Sequence, residues 1–125
     1  DEFTSLDALA STARPDLIPP PASPSDVAFL QISGGTTGLS KLIPRTHRDY
    51  VLNARLCADA AGFDADTVFM AILPLGHNYN LASPGLLGTF YHGGTVVLAP
   101  STDADEIFSL VERECVTVIA GEAMP

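Results

Sequence analysis

Short apolar segments alternate with longer helix-like segments along most of this 125-residue chain. Strand-forming residues dominate four of the short segments, at residues 27–32, 67–73, 95–99 and 116–120. Apolar residues recur at helical spacing in the longer ones, at residues 47–61, 81–91 and 103–114. Strands that are separated by helices of this length pair in parallel, because a parallel connection needs a long crossover. The order of segments therefore predicts an α/β fold that contains a layered parallel sheet.

The ends of two predicted helices carry typical capping residues. Thr46 can cap the first turn of the helix at residues 47–61, and Gly62 can end that helix. Ser101 or Thr102 is expected to cap the helix at residues 103–114 in the same way.

The first 26 residues differ in composition from the rest. Residues 1–13 have a weak helical pattern, and residues 14–26 contain five prolines, which favour an extended linker. Residues 27–125 carry the alternating pattern, and an apolar strand is predicted just before their end. Parallel strands need both faces and their edges covered. We therefore expect residues 27–125 to be part of a larger domain, with residues 1–26 as a helix and linker before it.

The charge of the chain excludes two classes of partner. A net charge of −9, from 15 Asp and Glu and 6 Lys and Arg, repels nucleic acid and anionic membranes. Residues 27–63 are the exception, with a net charge of +2, so an anion-binding site is expected there. Within that stretch we interpret Arg45 and Arg48 as the solvated start of a helix.

Neither the cysteines nor the N-terminus indicates secretion. Cys57 and Cys115 lie far apart without a C-x-x-C pair, and we expect both to be reduced core thiols. Residues 1–4 show no basic or apolar signal, and no apolar run approaches the ~20 residues that span a bilayer. These features predict a cytoplasmic protein without a membrane segment.

A glycine-rich loop, Ser-Gly-Gly-Thr-Thr-Gly-Leu-Ser-Lys at residues 33–41, follows an apolar run that we expect to be a buried strand. Its glycines let backbone N–H groups approach an anion, while its hydroxyls and Lys41 can bind phosphate oxygens. A plain flexible turn would need neither the hydroxyls nor the lysine. Lys41 leads into Leu-Ile-Pro rather than a helix, which excludes a Walker A loop, and the G-x-G-x-x-G spacing is absent.

The loop resembles the phosphate loop of the acyl-adenylate-forming superfamily. Further motifs are similar to the branch that activates aryl acids for siderophore synthesis, the 2,3-dihydroxybenzoate–AMP and salicylate–AMP ligases. These motifs are Leu-Ile-Pro-Arg-Thr-His at residues 42–47, Leu-Pro-Leu-Gly-His-Asn-Tyr at 73–79, Ser-Pro-Gly at 83–85 and Gly-Gly-Thr-Val-Val-Leu at 93–98. The resemblance implies that the chain is part of the large N-terminal, AMP-binding domain of such an enzyme.

The resemblance also implies roles for single residues. ATP would be bound through its β- and γ-phosphates by the loop residues Ser33, Gly34, Gly35, Thr36, Thr37, Gly38 and Lys41. Mg²⁺ would accompany ATP, but its carboxylate ligand is not among the motifs present. Lys41 and His77 would be catalytic, His77 as a donor near the substrate carboxylate and the α-phosphate.

For the aryl acid, the resemblance implies that Asn78 binds the ortho-hydroxyl, Tyr79 lines the ring pocket, and Ser83 faces the hydroxyl-bearing edge of the ring. The serine favours 2,3-dihydroxybenzoate over salicylate. The activated acyl group would then pass to the phosphopantetheine thiol of an aryl carrier protein. Three alternatives stay open: a salicylate ligase, a branch that adenylates fatty acids or amino acids, and a non-catalytic nucleotide-binding fragment. Because family members are several times longer, we expect this chain alone to be inactive.

Overall fold

The computed structural model describes residues 5–12, 20–33 and 40–121. The helices in these ranges are α1 (Leu6–Ser11), α2 (His47–Ala61), α3 (Asn78–Ala82), α4 (Gly85–Tyr91) and α5 (Ala104–Arg113). The strands are β1 (Val27–Ile32), β2 (Leu42–Thr46), β3 (Val68–Ala71), β4 (Thr95–Leu98) and β5 (Val118–Ile119). No helix within these ranges is both long enough and apolar enough to cross a bilayer.

Three strands form the predicted parallel sheet, in the order β4-β3-β5. The central strand β3 is buried, with Phe69 and Met70 almost inaccessible to solvent. Phe69 packs in a core with Ala58 of α2 and Phe63, which follows that helix. The α/β class is thus confirmed, although β3 and β5 are shorter than the predicted strands at residues 67–73 and 116–120.

Strands β1 and β2 form a separate antiparallel hairpin, in which Gln31 pairs with Ile43 and Ile32 with Leu42. The strand predicted at Val27–Ile32 is present, but the expectation that it is buried is wrong for this chain, because 73% of Ile32 and 52% of Leu30 are exposed. The hairpin has only two strands and packs one face on α2, so alternate side chains point away from the helix. Phe29, on the packed face, contacts Tyr50 of α2.

Helix α2 begins and ends where the sequence predicts. The Thr46 hydroxyl accepts a hydrogen bond from the Asp49 N–H at 3.2 Å, and Gly62 ends the helix with a positive φ of 73°. Tyr50, Ala54 and Ala58 are the buried residues of this helix. The inward face of α2 therefore contacts the hairpin near its start and the parallel sheet near its end.

The predicted helix at residues 81–91 is in fact two helices. Helix α3 begins earlier, at Asn78, and ends at Ala82; a cis Ser83–Pro84 bond separates it from α4. Gly85 then has a φ of +45°, and a Cβ there would lie 2.0 Å from the Asn80 carbonyl oxygen. Only glycine permits this close approach of α3 and α4.

Two smaller predictions about the C-terminal half are wrong. Asp103, rather than Ser101 or Thr102, caps α5, because its carboxylate accepts bonds from two backbone N–H groups of the first turn. Cys115 is exposed, not a core thiol, since it follows the end of α5 in a turn with a φ of 51°. Cys57 is half-buried.

Candidate functional site

The glycine-rich loop is held at the tip of the β1–β2 hairpin. The Ser33 N–H donates to the Lys41 carbonyl at 2.9 Å, and the Lys41 N–H donates to Ser33 Oγ, also at 2.9 Å. This pair extends the ladder by one step beyond Ile32 and Leu42. The two described ends of the predicted phosphate loop are therefore bonded to each other.

Ser33 and Lys41 are the predicted phosphate-binding residues that can be placed. The Ser33 hydroxyl accepts a bond from Lys41 and keeps its own proton for another acceptor. Lys41 is exposed. Gly34, Gly35, Thr36, Thr37 and Gly38, the remaining residues of this prediction, lie outside the described residues.

His77 stands at the N-terminus of α3, directly before Asn78. Its Nδ1 accepts a hydrogen bond from the Tyr79 N–H at 3.3 Å, so His77 is the N-cap of the helix. With Nδ1 as the acceptor, the proton of the neutral ring lies on Nε2. His77 and Tyr79 are both exposed, so the Nε2–H donor and the tyrosine ring can be reached by a ligand.

A hydrogen-bonded network links the hairpin to the start of α3. Asn78 Oδ1 accepts one bond from the Tyr50 hydroxyl at 2.7 Å and another from Gln31 Nε2 at 3.1 Å. Gln31 Nε2 also lies 3.2 Å from the Tyr50 oxygen. Gln31 is two residues before Ser33 on the strand that leads into the loop. The predicted acid-binding Asn78 is therefore fastened to the element that carries the predicted phosphate loop.

Asn78 and Ser83, the two residues predicted to bind ring hydroxyls, contact each other. Asn78 Nδ2 donates to Ser83 Oγ at 2.7 Å, and Asn53 Nδ2 of α2 donates to the same oxygen at 3.2 Å. Asn53 Nδ2 also donates to the Ala82 carbonyl at 2.8 Å. The Asn78 and Ser83 side chains thus lie in hydrogen-bond contact and are only partly buried.

A charged pair borders this network on the hairpin side. Arg45 Nη1 donates to Gln31 Oε1 at 3.2 Å, and Arg45 Nε pairs with the Asp49 carboxylate. The Arg45 guanidinium carbon also lies 4.9 Å from the centre of the Tyr50 ring. The bond to Asp49 is the main cause that raises the pKa of Arg45. Arg45 is thus part of an ordered network, contrary to the interpretation of a solvated helix start.

Burial raises the pKa of the Tyr50 hydroxyl, which stays protonated at neutral pH. Desolvation raises the pKa of Tyr50, the Arg45 cation partly opposes that shift, and Asp49 reinforces it. The hydroxyl therefore remains a donor to Asn78 across the neutral pH range. The Tyr50 ring also makes an edge-to-face contact with Phe29, with ring centres 4.3 Å apart.

Gln31, Tyr50 and Asn53 were not predicted as site residues. The sequence does mark Gln31 as unusual, because it is the polar residue inside the apolar run Val27–Ile32. Tyr50 and Asn53 lie on the face of α2 that meets α3, and their helical spacing alone does not distinguish them from ordinary packing residues. Which polar side chains meet depends on the hairpin, whose position could not be read from local patterns.

The predicted site side chains do not form a metal cluster within the described residues. No group of three or more His, Cys, Asp or Glu side chains that could hold a metal ion occurs in the described part of the chain. A cleft of about 490 Å³ lies instead at the start of α2, where Arg48, Val51 and Tyr91 are among its lining residues. None of the predicted site residues lines that cleft.

Comparison with a family model decides what kind of protein this is. The model of the AMP-binding enzyme family matches residues 1–122. The chain belongs to the AMP-binding enzyme family. This match confirms the resemblance inferred from the glycine-rich loop, and the relatives described next confirm the resemblance inferred from the later motifs.

Curated AMP-binding relatives include aryl-acid ligases. The chain is 52% identical over 120 residues to the 2,3-dihydroxybenzoate-AMP ligase of Bacillus subtilis, and the match covers 96% of the chain and 22% of that relative. It is 48% identical to the salicyl-AMP ligase / salicyl-S-ArCP synthetase of Mycobacterium tuberculosis, covering 94% of the chain and 20% of the relative. The chain therefore spans about a fifth of the length of these AMP-binding relatives.

Solved structures of AMP-binding enzymes share the fold. The apo structure of Mycobacterium smegmatis MbtA has a TM-score of 0.82 and 42% identity, over 90% of this chain and 21% of that one. The ATP-bound MatB of Rhodopseudomonas palustris has a TM-score of 0.76 and 28% identity, over 90% and 22% of the two chains.

Proposed function

We propose that the full-length protein containing this chain is an aryl-acid–AMP ligase, and that it activates 2,3-dihydroxybenzoate in preference to salicylate. The observation that carries the proposal is the bond between Gln31 Nε2 and Asn78 Oδ1, at 3.1 Å. It joins the hairpin that holds the phosphate loop to the helix that holds the hydroxyl-binding residues. A nucleotide phosphate and a hydroxylated acid would thus be bound side by side.

ATP would be bound by the tip of the hairpin. The hydroxyl proton of Ser33, which no contact within the described residues uses, and the exposed Lys41 ammonium suit the β- and γ-phosphates, together with backbone N–H groups of Gly34 to Gly38. A related fold, that of MatB, has been solved with ATP bound. Mg²⁺ normally accompanies ATP through phosphate oxygens and one or two carboxylates. None of the motifs that resemble the family supplies such a carboxylate, so its protein ligand is expected elsewhere in the full-length protein.

The aryl acid would be recognised by two hydrogen-bond donors, one on α3 and one directly after that helix. Asn78 has one N–H, and Ser83 its O–H, that no contact within the described residues uses. A ring hydroxyl beside the carboxylate would accept from Asn78, and a second hydroxyl would pair with Ser83. Plain benzoate would leave these partly buried groups unpaired, at a cost of about 1–3 kcal/mol each.

The chemistry of this proposal is a phosphoryl-centred displacement. A carboxylate oxygen of the acid attacks the α-phosphorus of ATP, the bond to pyrophosphate breaks, and an aryl adenylate forms. Lys41 and Ser33 would stabilise the charge on the departing pyrophosphate, while the His77 Nε2–H would donate to the carboxylate or α-phosphate oxygens. The acyl group would then pass to a carrier-protein thiol and release AMP.

The alternatives predict different substrates. Fatty acids would leave one N–H of Asn78 and the O–H of Ser83 unpaired, which argues against that branch. A salicylate ligase would use Asn78 in the same way but would not need the Ser83 hydroxyl. A non-catalytic nucleotide-binding protein would explain the loop but not the joined Asn78 and Ser83 pair.

The test is acid-dependent exchange of labelled pyrophosphate into ATP by the full-length protein. We expect the fastest exchange with 2,3-dihydroxybenzoate, slower exchange with salicylate, and little with benzoate, decanoate or amino acids. Faster exchange with decanoate or an amino acid than with any hydroxybenzoate would reject the proposed function. Fastest exchange with salicylate would reject only the preference for the second hydroxyl.

A further inference from the structure

In the hydrogen-bonded network between the hairpin and α3, Arg45 determines which end of each side-chain amide faces which partner. Arginine carries only hydrogen-bond donors. Because Arg45 Nη1 lies 3.2 Å from the side-chain amide of Gln31, the oxygen of that amide must face Arg45. The Gln31 nitrogen then faces the opposite way, towards Asn78 Oδ1 at 3.1 Å and the Tyr50 oxygen at 3.2 Å.

The orientation of the Gln31 amide in turn determines the orientation of the Asn78 amide. Two donors, Gln31 Nε2 and the Tyr50 hydroxyl, converge on one end of the Asn78 amide, so its oxygen occupies that end. Its nitrogen then faces Ser83 at 2.7 Å. In the reversed orientation, the Asn78 nitrogen would face the donor nitrogen of Gln31, and two N–H groups would oppose each other.

The result is a site that presents donors. Ser83 Oγ accepts from two amide nitrogens, those of Asn78 and Asn53, so its own proton is directed elsewhere. The free hydrogen-bonding capacity of the pair within the described residues is one N–H of Asn78 and the O–H of Ser83. A ligand must therefore offer hydrogen-bond acceptors to both side chains.

We propose that Arg45 and Gln31 are positioning residues that fix the Asn78 amide with its N–H towards the aryl acid, so that the enzyme selects an ortho substituent that accepts a hydrogen bond. This inference rests on the proposed function. An ortho-hydroxyl donates its proton to the neighbouring carboxylate and leaves its oxygen lone pairs free. An ortho-amino group delocalises its nitrogen lone pair into the ring, so it offers only N–H donors.

Salicylate and 2-aminobenzoate have similar shapes, but the ortho substituent of the first can accept a hydrogen bond and that of the second can only donate one. The kcat/KM for pyrophosphate exchange by the full-length protein is measured with salicylate and with 2-aminobenzoate. In the wild type we expect salicylate to be favoured at least about tenfold, because donors that face donors stay unpaired. The ratio of the two values reports the direction of the Asn78 amide, whereas a general loss of stability lowers both values together.

The decisive variant is Gln31→Glu, which keeps the shape but has only acceptors. One carboxylate oxygen can stay with Arg45, and the other draws the Asn78 nitrogen towards it, so that Oδ1 turns towards Ser83 and the ligand. We expect the ratio to fall at least about tenfold, because the site now presents an acceptor to the ortho substituent. Arg45→Lys keeps a donor-only side chain and should preserve the preference for salicylate.

Arg48→Gln is the matched control, because Arg48 is exposed, three residues from Arg45 and outside the network. It should leave the ratio unchanged. An active Gln31→Glu enzyme with the wild-type ratio would overturn the inference. If no aryl acid supports exchange in the wild type, the proposed function itself is rejected.

A measurement on the wild type alone keeps the inference testable if Gln31→Glu does not fold. 2-Fluorobenzoate offers only an acceptor at the ortho position, and 2-aminobenzoate only donors. We expect a higher kcat/KM for pyrophosphate exchange with 2-fluorobenzoate than with 2-aminobenzoate. A higher value with 2-aminobenzoate would overturn the assignment of Asn78 as a donor.

Discussion

Replacement of Gly85 by alanine tests whether the junction of α3 and α4 holds the acid site in place. The new Cβ would lie 2.0 Å from the Asn80 carbonyl oxygen, 2.3 Å from its carbonyl carbon and 2.9 Å from the Tyr79 oxygen. All three atoms belong to the backbone, so no side-chain rotation can relieve the overlap. Helix α3, with Asn78 at its start, would have to move away from α4.

The cost has two parts. The φ of +45° is left-handed, which for a residue with a Cβ costs about 1–2 kcal/mol. Extra atoms in a close-packed contact cost about 1–3 kcal/mol more. We therefore expect Gly85→Ala to lower the free energy of unfolding by roughly 2–5 kcal/mol, the sum of these terms.

The assay is thermal and denaturant unfolding of the full-length protein, with Gly76→Ala as the matched control. A Cβ at Gly76 meets no atom within 4 Å, so that variant should stay close to the wild type. Gly85→Ala should unfold several degrees earlier and show a raised KM for the aryl acid. Equal stability and equal KM values for the two variants would refute the account of this junction.

Three further predictions concern single side chains. Lys41→Ala should slow adenylation by about 10²-fold, because the ammonium group that stabilises the phosphates is lost. The free energy of unfolding should stay unchanged, because Lys41 is exposed and its hydrogen bonds to Ser33 are made by its backbone. Unaltered exchange kinetics would contradict the phosphate-binding role of Lys41. Ser83→Ala should reduce the ratio of kcat/KM for 2,3-dihydroxybenzoate to that for salicylate, and an unchanged ratio would argue against recognition of the second hydroxyl. Asp103→Ala should cost about 1 kcal/mol of stability through loss of the α5 cap, with normal exchange activity, and equal unfolding midpoints would refute the capping role.

Much of the fold could be predicted because local signals agree with it. Thr46 and Gly62 bound α2 as their side-chain and backbone preferences require, and three apolar runs form the parallel sheet. The break between α3 and α4 was missed, since apolar spacing continues through Pro84 into the second helix. The hairpin was missed as well, because the apolar residues of Val27–Ile32 resemble those of a buried strand.

The candidate site could be predicted in part. Asn78 and Ser83 were identified by resemblance, and they do lie in hydrogen-bond contact. The side chains that orient them, Gln31 and Tyr50, lie 47 and 28 residues from Asn78 along the chain. No periodicity in the sequence links residues so far apart, and only the packing of the hairpin on α2 brings them together.

The proposed function depends most on a hydrogen bond from Asn78 to a ring hydroxyl of the aryl acid, beside the bound nucleotide. The most direct measurement compares kcat/KM for salicylate and for benzoate in pyrophosphate exchange, in the wild-type full-length protein and in Asn78→Ala. We predict that the wild type favours salicylate by roughly 5- to 150-fold, the equivalent of about 1–3 kcal/mol, and that the ratio falls to near one in the variant. A ratio that is the same in both proteins would contradict the account.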